Sequence, residues 1–301
     1  MKRNKFYIIL MGAAGLMLGC TNGKQYEQVL DRAQEQNQNW DSITGIDSIQ
    51  MAADYYDRRD NSNNKVRAHY ILGCAYRDAG EAPNALEAYQ HAAESADTTS
   101  ADCDYGLLMR VHAQSAMLFK YQLLPYEMLD ELKAQRHYAL LAGDDKNALT
   151  AIERSADAYY MLAEKDSFVN IQQRASDLYE RYGFHEEANL ALGPIIAELV
   201  EKGDTAEARR CIQRYEGSKS VFKDGELLPH KAIHYYFKGR YCLAVGKTDS
   251  AEIYFRKLLL PGPNASQLEA GYRGLFLLYW HEEKWDSMAK YSNLQYEQSL
   301  Q

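Results

Sequence analysis

Apolar side chains recur at helical spacing along most of the chain, and the pattern is clearest between Val66 and Asp97. Within this segment Gly73 lies on a first apolar stripe and Ala85 on a second. Residues three and four positions apart share one face of a helix, so each stripe predicts an amphipathic helix. Gly80 fits the end of the first helix, and Pro83 fits the start of the second. The segment therefore predicts two antiparallel helices joined by a tight turn.

Small and aromatic residues indicate how this hairpin packs. Gly73 and Ala85 allow two helix backbones to approach closely, and Tyr76 and Tyr89 fill the space beside them. A single hairpin leaves much of its apolar face uncovered, so neighbouring hairpins must stack on it. We therefore expect an all-α fold, an α-solenoid of stacked antiparallel helix hairpins forming one elongated domain.

Further helices are predicted on both sides of this hairpin. A helical pattern begins at Tyr26, and the polar run Asp60–Asn64 separates the second helix from the hairpin. The other predicted helices and units are Ile46–Arg58, Cys103–Tyr121, Pro125–Leu141, Ala148–Ala163, Ser167–Tyr182, His230–Leu260 and Leu268–Gln301.

Glycine and alanine recur at a fixed interval where helices should join. The spacing of Gly80 and Ala85 is repeated in the pairs Gly183 and Ala188, Gly203 and Ala208, and Gly246 and Ala251. Gly193-Pro194 predicts a break or kink inside one helix, because proline lacks the backbone N–H that a helix interior needs. Ser218–Pro229 is the longest predicted loop, with a turn at Asp224-Gly225.

The motif Leu72-Gly73-x2-Tyr76, followed by Ala85-x3-Tyr89, resembles the two helices of a tetratricopeptide unit. The resemblance is specific over residues 66–97, 183–215 and 232–263, and it extends over most of 26–301. It implies a tetratricopeptide-type α-solenoid. It also implies that a ligand lies in the concave groove formed by the first helix of each pair.

Three segments also resemble, in their order along the chain, a family of cell-envelope repeat proteins from Bacteroidota: residues 51–90, 96–105 and 232–259. Members of that family are lipoprotein-like at the start and often continue past the repeats into a membrane helix and a regulatory region. The resemblance implies an envelope location. It leaves open that the chain is the sensor part of an envelope signalling protein truncated at its C-terminal end.

The first residues predict a secretory signal. Three basic residues precede an apolar run from Phe6 to Leu18, which is too short to span a bilayer. Gly19-Cys20 then resembles the lipobox of bacterial lipoproteins, in which the cysteine is acylated. We predict a signal peptide over 1–19, a lipidated tether over 20–25 and the repeat array over 26–301, with the lipid as the only membrane attachment and the array facing the periplasm. An uncleaved anchor helix, or cleavage elsewhere, is the alternative.

The charge of the chain bears on its partners. The formal net charge is -8, with 42 acidic and 34 basic side chains. Sequence-independent binding to nucleic acid or to anionic lipid requires a basic face, so this balance argues against both. We predict no nucleic-acid partner.

The cysteines after Cys20 are Cys74, Cys103, Cys211 and Cys242. An oxidising compartment would permit a disulfide, and Cys211 with Cys242 would be the pair in consecutive helices. Against a disulfide, most of these cysteines lie inside strong helical patterns, where cysteine behaves as a small apolar residue.

Catalytic and metal motifs are weak in this sequence. His230-x3-His234 has a metal-ligand spacing on one helix face, but a third ligand is missing nearby. The sequence contains no nucleophile elbow, phosphate-binding glycine loop or dinucleotide fingerprint. We therefore predict no catalytic residue, no metal site and no cofactor.

Candidate binding residues follow from the tetratricopeptide frame. Residues at i, i+4 and i+7 of the first helix in a pair share the stripe that would face the groove. Tyrosine, tryptophan and arginine on that stripe favour a peptide or protein partner, because they make large contacts and arginine can grip a carboxylate. The predicted partner-binding residues are Tyr70, Arg77, Tyr236, Arg240, Arg273 and Trp280.

The function predicted from these features is a non-catalytic, membrane-anchored scaffold or adaptor that binds a peptide or protein in the groove. A glycan-binding lipoprotein is the alternative, since aromatic stripes also stack on sugars. The helix from Lys284 to Gln301 is expected to expose Tyr291, Leu294 and Tyr296 on its stacking side, which predicts a homo-oligomer through this edge.

Overall fold

A computed structural model describes residues 23–59, 62–223, 226–260 and 264–299. The predicted signal peptide and Cys20 lie outside the described residues. The chain divides into two compact units, Met1–Ala151 and Ile152–Gln301. The continuation of one array through both units stays a prediction.

The first unit is built from helix pairs. Its helices are α1 (23–38), α2 (Ile46–Asp57), α3 (Ser62–Asp78), α4 (Ala82–Glu94), α5 (Tyr105–Tyr121) and α6 (Pro125–Leu141). Helix α7 (Asp145–Met161) starts in the first unit and ends in the second. Helix α1 starts before the predicted Tyr26. Helix α5 starts after the predicted Cys103, because Asp104 Oδ1 accepts a hydrogen bond from the Leu107 N–H at 2.8 Å and caps the helix.

The second unit continues the helical pattern. Its helices are α8 (Lys165–Arg181), α9 (His185–Leu190), α10 (Ile196–Glu201), α11 (Thr205–Glu216), α12 (His234–Ala244), α13 (Thr248–Lys257), α14 (Ala265–His281) and α15 (Trp285–Ser299). The gap between α9 and α10 confirms the break predicted at Gly193-Pro194.

The segment expected to be an irregular loop, Ser218–Pro229, contains a small antiparallel ribbon. Strands β1 (Phe222–Lys223) and β2 (Glu226–Leu227) pair Phe222 with Leu227 and Lys223 with Glu226. A short 3-10 helix follows at Pro229–Lys231. Two-residue strands are below the length at which alternation of apolar and polar residues can be recognised in a sequence. The predicted turn at Asp224-Gly225 lies outside the described residues.

The tight joints share one hydrogen-bond pattern. At the end of α3, Gly80 has φ 77°, its N–H donates to the Arg77 carbonyl at 3.0 Å, and the Glu81 N–H donates to the Tyr76 carbonyl at 2.9 Å. This is a Schellman motif, and the left-handed φ is the reason for glycine. The same left-handed position is held by Gly143, Gly183, Gly203 and Gly246, and by the non-glycine residues Leu123, Ala163 and Glu283.

Aromatic rings pack directly on helix glycines, as the sequence predicted for Gly73. A Cβ added to Gly73 would lie 2.4 Å from the Tyr89 ring, and one added to Gly239 would lie 2.3 Å from Phe255. A Cβ added to Gly274 would lie 2.2 Å from the same Phe255 ring. Both rings are fully buried. In these two pairs, α3 with α4 and α12 with α13, the backbone of the first helix therefore forms the surface on which the ring of the second helix packs.

These features define an all-α, tetratricopeptide-type α-solenoid of stacked antiparallel helix hairpins, as predicted. Cys74, Cys103, Cys211 and Cys242 are free thiols. Burial raises the pKa of Cys211 to about 12, which keeps this thiol protonated and unreactive. Within the described residues, none of the helices combines the length and apolar character needed to cross a bilayer.

The expected exposure of the last helix is corrected in part. Tyr291 is buried, with its ring 5.6 Å from that of Tyr279, and Leu294 packs partly against the same core. Tyr296 is exposed, as expected. Helix α14 supplies the cover, because α14 and α15 form a hairpin whose facing sides meet. Association of two copies through this edge stays a prediction.

Candidate functional site

One candidate site in the first unit is a pocket of about 450 Å³ between the first helices of three successive pairs, α1, α3 and α5. We call it the α1–α3–α5 pocket. It is lined by Gln34, Asn37, Gln38, Arg67, Tyr70, Asp104, Leu107 and Arg110. Its position on the first helix of each pair is the one that the tetratricopeptide frame predicts for a binding groove.

Arg77 ties the three helices together beside this pocket. Its guanidinium donates to Asn37 Oδ1 on α1 at 3.0 Å and to Gln114 Oε1 on α5 at 2.8 Å. It also donates twice to Asp78 Oδ1, at 2.9 and 2.7 Å. Cys74 Sγ lies 3.9 Å from the Nη1 that bonds Gln114. Arg77 was predicted to contact a partner, but the structure places its donors on the protein itself.

Arg67, which lies ten residues before Arg77 on the same helix α3, makes a similar connection to α1. Its Nε donates to Gln34 Oε1 at 2.9 Å, and its Nη2 pairs with Asp31 Oδ1 at 2.5 Å. Both partners lie on α1, so Arg67 holds α3 against α1 at the wall of the pocket. Part of its charge is neutralised by Asp31, whose side chain is 60% exposed.

Tyr70, which the sequence assigns to the groove stripe, lines the pocket, but only 7% of its surface is exposed. Its ring centroid is 6.1 Å from that of Tyr89. Burial, followed by the neighbouring Cys74, raises the pKa of Tyr70 well above the usual tyrosine range. The hydroxyl therefore stays neutral at any physiological pH.

Arg110 is the one pocket cation whose charge is uncommitted within the part of the chain that the structure describes. It is exposed on α5, and it forms no hydrogen bond or ion pair with another described residue. Leu107, one turn earlier on the same helix, gives the pocket an apolar wall. Arg110 was not predicted from the sequence, because α5 carries no tetratricopeptide signature that would assign its residues to a groove stripe.

Sequence reasoning also missed the α1 side of the pocket. Gln34, Asn37 and Gln38 come from a helix without a tetratricopeptide signature of its own. Just beyond them, Trp40 is 96% exposed and has a left-handed φ of 61°. In the sequence, Trp40 stands in the polar stretch 37–42, and this is a signal that could have been used, since tryptophan is enriched where proteins bind partners.

The second unit brings together three of the predicted binding residues. The guanidinium carbons of Arg240 and Arg273 lie 5.8 and 5.5 Å from the Tyr236 ring centroid, and Arg240 Nη1 donates to Tyr236 Oη at 2.9 Å. Tyr236 itself is only 5% exposed. It is a buried support for the arginines and is not available to stack on a ligand.

The charge of these arginines is shared with a carboxylate. Arg240 Nη2 lies 3.9 Å from Glu201 Oε2, and Lys165 Nζ lies 2.7 Å from Glu201 Oε1. The hydrogen bond from Lys165 holds the pKa of Glu201 below its usual range, and Arg240 and Arg273 act in the same direction. Glu201 is therefore ionised at neutral pH. Arg240, with its side chain 13% exposed, is a charge paired within its own unit.

Trp280 is separate from the Tyr236 group in its contacts. It is 58% exposed, and its ring centroid lies 5.8 Å from that of Phe276, one turn earlier on α14. It keeps a free aromatic face, as predicted, while its role in binding stays a prediction.

His230 and His234, the two histidines with a metal-ligand spacing, lie in different environments. His234 is buried, with Nε2 3.0 Å from Glu216 Oε1 and its ring stacked on Tyr215 at 4.5 Å, whereas His230 is exposed. Among the described residues, no group of histidine, cysteine, aspartate and glutamate has an arrangement that could hold a metal ion.

The comparisons with known proteins agree with the helical-repeat fold. No protein-family model and no curated protein sequence matches this chain significantly. Aspartyl phosphate phosphatase F from Bacillus subtilis superposes with a TM-score of 0.69 at 11% identity, over 97% of this chain and 75% of that one. BtubC (BKLC) from P. vanneervenii superposes with a TM-score of 0.55 at 14% identity, over 76% of this chain and 87% of that one. The assembly chaperone of RpL4 (Acl4) superposes with a TM-score of 0.54 at 14% identity, over 87% of this chain and 99% of that one. At these identities the similarity shows the fold alone. The chain has a helical-repeat fold.

Proposed function

We propose that this chain is a non-catalytic adaptor that binds an acidic segment of a partner protein in the α1–α3–α5 pocket. The observation that carries the proposal is Arg110, a cation that lines the pocket and forms no hydrogen bond or ion pair with another described residue. A guanidinium in that position gains a charge-assisted, two-point hydrogen bond when a carboxylate arrives.

The size and composition of the pocket favour a peptide segment. Its volume of about 450 Å³ is within the range of ligand sites. An extended chain advances by about 3.3 Å per residue, so a short peptide segment is an occupant of suitable size. Amide side chains from Gln34, Asn37 and Gln38 provide hydrogen-bonding groups for a main chain. Leu107 and Tyr70 provide an apolar and an aromatic contact for side chains.

The structural neighbours give general support to this proposal. The name of one of them, an assembly chaperone of RpL4, states that it acts on another protein. The name of another is that of a phosphatase, and the 11% identity carries no catalytic residue over to this chain. The non-catalytic role rests on the absence of a recognisable catalytic motif in the sequence and stays part of the proposal.

A lipid at Cys20 would place the adaptor at the bacterial cell envelope, facing the periplasm. This part of the proposal rests on the basic and apolar start of the chain and on Gly19-Cys20. Metabolic labelling with a palmitate analogue tests it directly. Label on the wild type that disappears in Cys20→Ala supports the anchor, and an unlabelled wild type rejects it.

The peptide proposal is tested by fluorescence titration with short capped peptides of alternating aspartate and valine, and with matched lysine and valine peptides. Trp280→Phe and Trp285→Phe leave Trp40, close to the pocket in sequence, as the single tryptophan reporter. Arg110→Glu should weaken binding of the acidic peptide by tenfold or more, because one charge reversal replaces an attraction by a repulsion.

Arg32→Glu is the matched control, because Arg32 is exposed on α1 and does not line the pocket. It should leave the affinity within about twofold once the long-range charge is screened by salt. Equal weakening by both variants, or preference for the lysine peptide, would reject the pocket as an acidic-segment site. The glycan alternative predicts that a glycan binds and that this binding is insensitive to Arg110→Glu and to salt. It also predicts that glycan binding is lost when Trp280→Ala is made in the otherwise wild-type chain.

A further inference from the structure

The structure fixes the orientation of two pocket amides. Asn37 Oδ1 accepts from Arg77 Nη2 at 3.0 Å, and Gln34 Oε1 accepts from Arg67 Nε at 2.9 Å. Arginine can only donate, so an amide that faces it must present its oxygen. The orientation of each side-chain amide therefore follows from the chemistry of its partner.

This orientation determines what the two amides can offer an occupant of the α1–α3–α5 pocket, which both residues line. Their oxygens are engaged by Arg77 and Arg67, so their remaining hydrogen-bonding capacity lies mainly in the two N–H donors of each amide. Arg110 adds further donors and no acceptor. The opposing acceptor in the lining, Asp104, already uses Oδ1 to cap α5 through the Leu107 N–H.

We infer that Arg77 and Arg67 are positioning residues that make the α1–α3–α5 pocket a donor surface, selective for a segment that presents backbone carbonyls and carboxylates. The inference rests on the proposed function and specifies it: both arginines set the polarity of the amides that contact the partner, and Arg77, unlike Arg67, does not line the pocket itself.

Arg77 is suited to this task by its fork. Its five N–H groups are distributed over Asn37, Gln114, Asp78 and Cys74, which lie on α1, α3 and α5. The side chain is held on several sides and cannot turn away from Asn37 without losing bonds elsewhere. A lysine at this position is a single point of positive charge and cannot hold the same set of acceptors.

A double-mutant cycle on the full chain tests the inference, with the aspartate and valine peptide as the probe and Trp40 as the reporter. Asn37→Ala removes the donors and should weaken binding about tenfold. Arg77→Lys should weaken binding in the wild-type background and cause no further loss in the Asn37→Ala background, because its effect acts through Asn37. Gln28→Ala, an exposed amide on α1 outside the pocket, is the control and should bind as the wild type does.

A second variant addresses polarity without loss of shape. Asn37→Asp keeps an oxygen for Arg77 and replaces the two N–H donors by an acceptor. Binding of the acidic peptide should therefore be lost, while the melting temperature of the protein is maintained or raised. Gln28→Glu introduces the same charge on the same helix and should have a small effect. Both of these results support the inference.

Three results would overturn it: Asn37→Ala binding as tightly as the wild type, Arg77→Lys weakening binding equally in both backgrounds, or Gln28→Glu weakening it as much as Asn37→Asp. In each case a wild type that still binds the peptide leaves the proposed function standing. A wild type that binds none of the peptides rejects the proposed function, and this inference fails with it.

Discussion

The two units use the same kinds of residue on their first helices and obtain different surfaces from them. In the first unit, Arg77 donates to amides and a carboxylate and leaves a pocket with the uncommitted Arg110 beside it. In the second unit, Arg240 and Arg273 lie over the buried Tyr236 and share the charge of Glu201. An arginine on a groove stripe can therefore be part of the fold or part of a site.

The difference comes from what surrounds each guanidinium. A buried or half-buried guanidinium must have acceptors, because the cost of leaving it unpaired is large. Arg77 and Arg240 meet this need within their own units, while the exposed Arg110 is open to solvent. The same distinction predicts which substitutions change stability and which change binding, and the following experiments test it from the largest effect to the smallest.

Phe255→Ala should give the largest loss, about 3–5 kcal/mol of unfolding free energy, because it empties a fully buried ring site. The ring packs on Gly239 and Gly274 at once, so it joins α12, α13 and α14. Denaturant unfolding measures the effect, and Ile253→Ala, which removes an exposed side chain of the same helix, is the control. A loss below about 1 kcal/mol would mean that the glycine contacts do not hold the second unit together.

Gly73→Leu should cost about 1–3 kcal/mol or more, since even a Cβ at this position would lie 2.4 Å from the Tyr89 ring. Hydrogen exchange should show the added opening in α3 and α4 of the first unit. Glu87→Leu, an exposed position on α4, serves as the matched control and should change stability by about 0.5 kcal/mol or less. Equal effects at both positions would contradict the ring-on-glycine packing.

Arg240→Glu should cost about 1.5 kcal/mol in stability, because it removes a charged hydrogen bond to Tyr236 and places a carboxylate beside Glu201. Arg110→Glu should stay within about 0.5 kcal/mol of the wild type. Thermal unfolding of the two variants under identical conditions compares the units directly. A stable Arg240→Glu protein would show that this arginine is as uncommitted as Arg110.

Glu153→Gln should raise stability near neutral pH and have little effect in acid. Burial raises the pKa of Glu153 in the folded protein, although Tyr179 Oη donates to it at 2.9 Å. A raised folded pKa means that stability is complete below the unfolded pKa and declines as the pH rises through the folded one. Glutamine does not ionise, so melting curves of the two proteins should separate with rising pH. Glu269→Gln is the control on α14, and parallel curves for Glu153→Gln and wild type would contradict the prediction.

The helix pairs could be predicted because their signals are local. Gly80 and Pro83 mark a joint, Gly73 and Tyr89 mark a close contact, and each signal depends on backbone geometry within one hairpin. The joints at Leu123, Ala163 and Glu283 have the same left-handed geometry without glycine, so the sequence gives no marker for them. There the hydrogen bonds of the flanking helices impose the turn.

The candidate site was predicted only in outline. Tyr70 and the trio of Tyr236, Arg240 and Arg273 fall on the stripes that the repeat frame assigned to a groove. The frame could not show that Tyr70 and Tyr236 are buried, because tyrosine occurs on both sides of a helix interface. It also could not indicate Arg110 or Asn37, which come from helices without the repeat signature.

By itself, the sequence determined the class of this protein, because helical period, joint residues and ring-on-glycine contacts act over a few tens of residues. Only the tertiary structure decided which polar groups remain available to a partner. Arg77, Asn37 and Gln114 are far apart in sequence and meet through the packing of α1, α3 and α5. Whether a donor is used up or free depends on such meetings, since hydrogen bonds are satisfied by whatever acceptors the fold brings within reach.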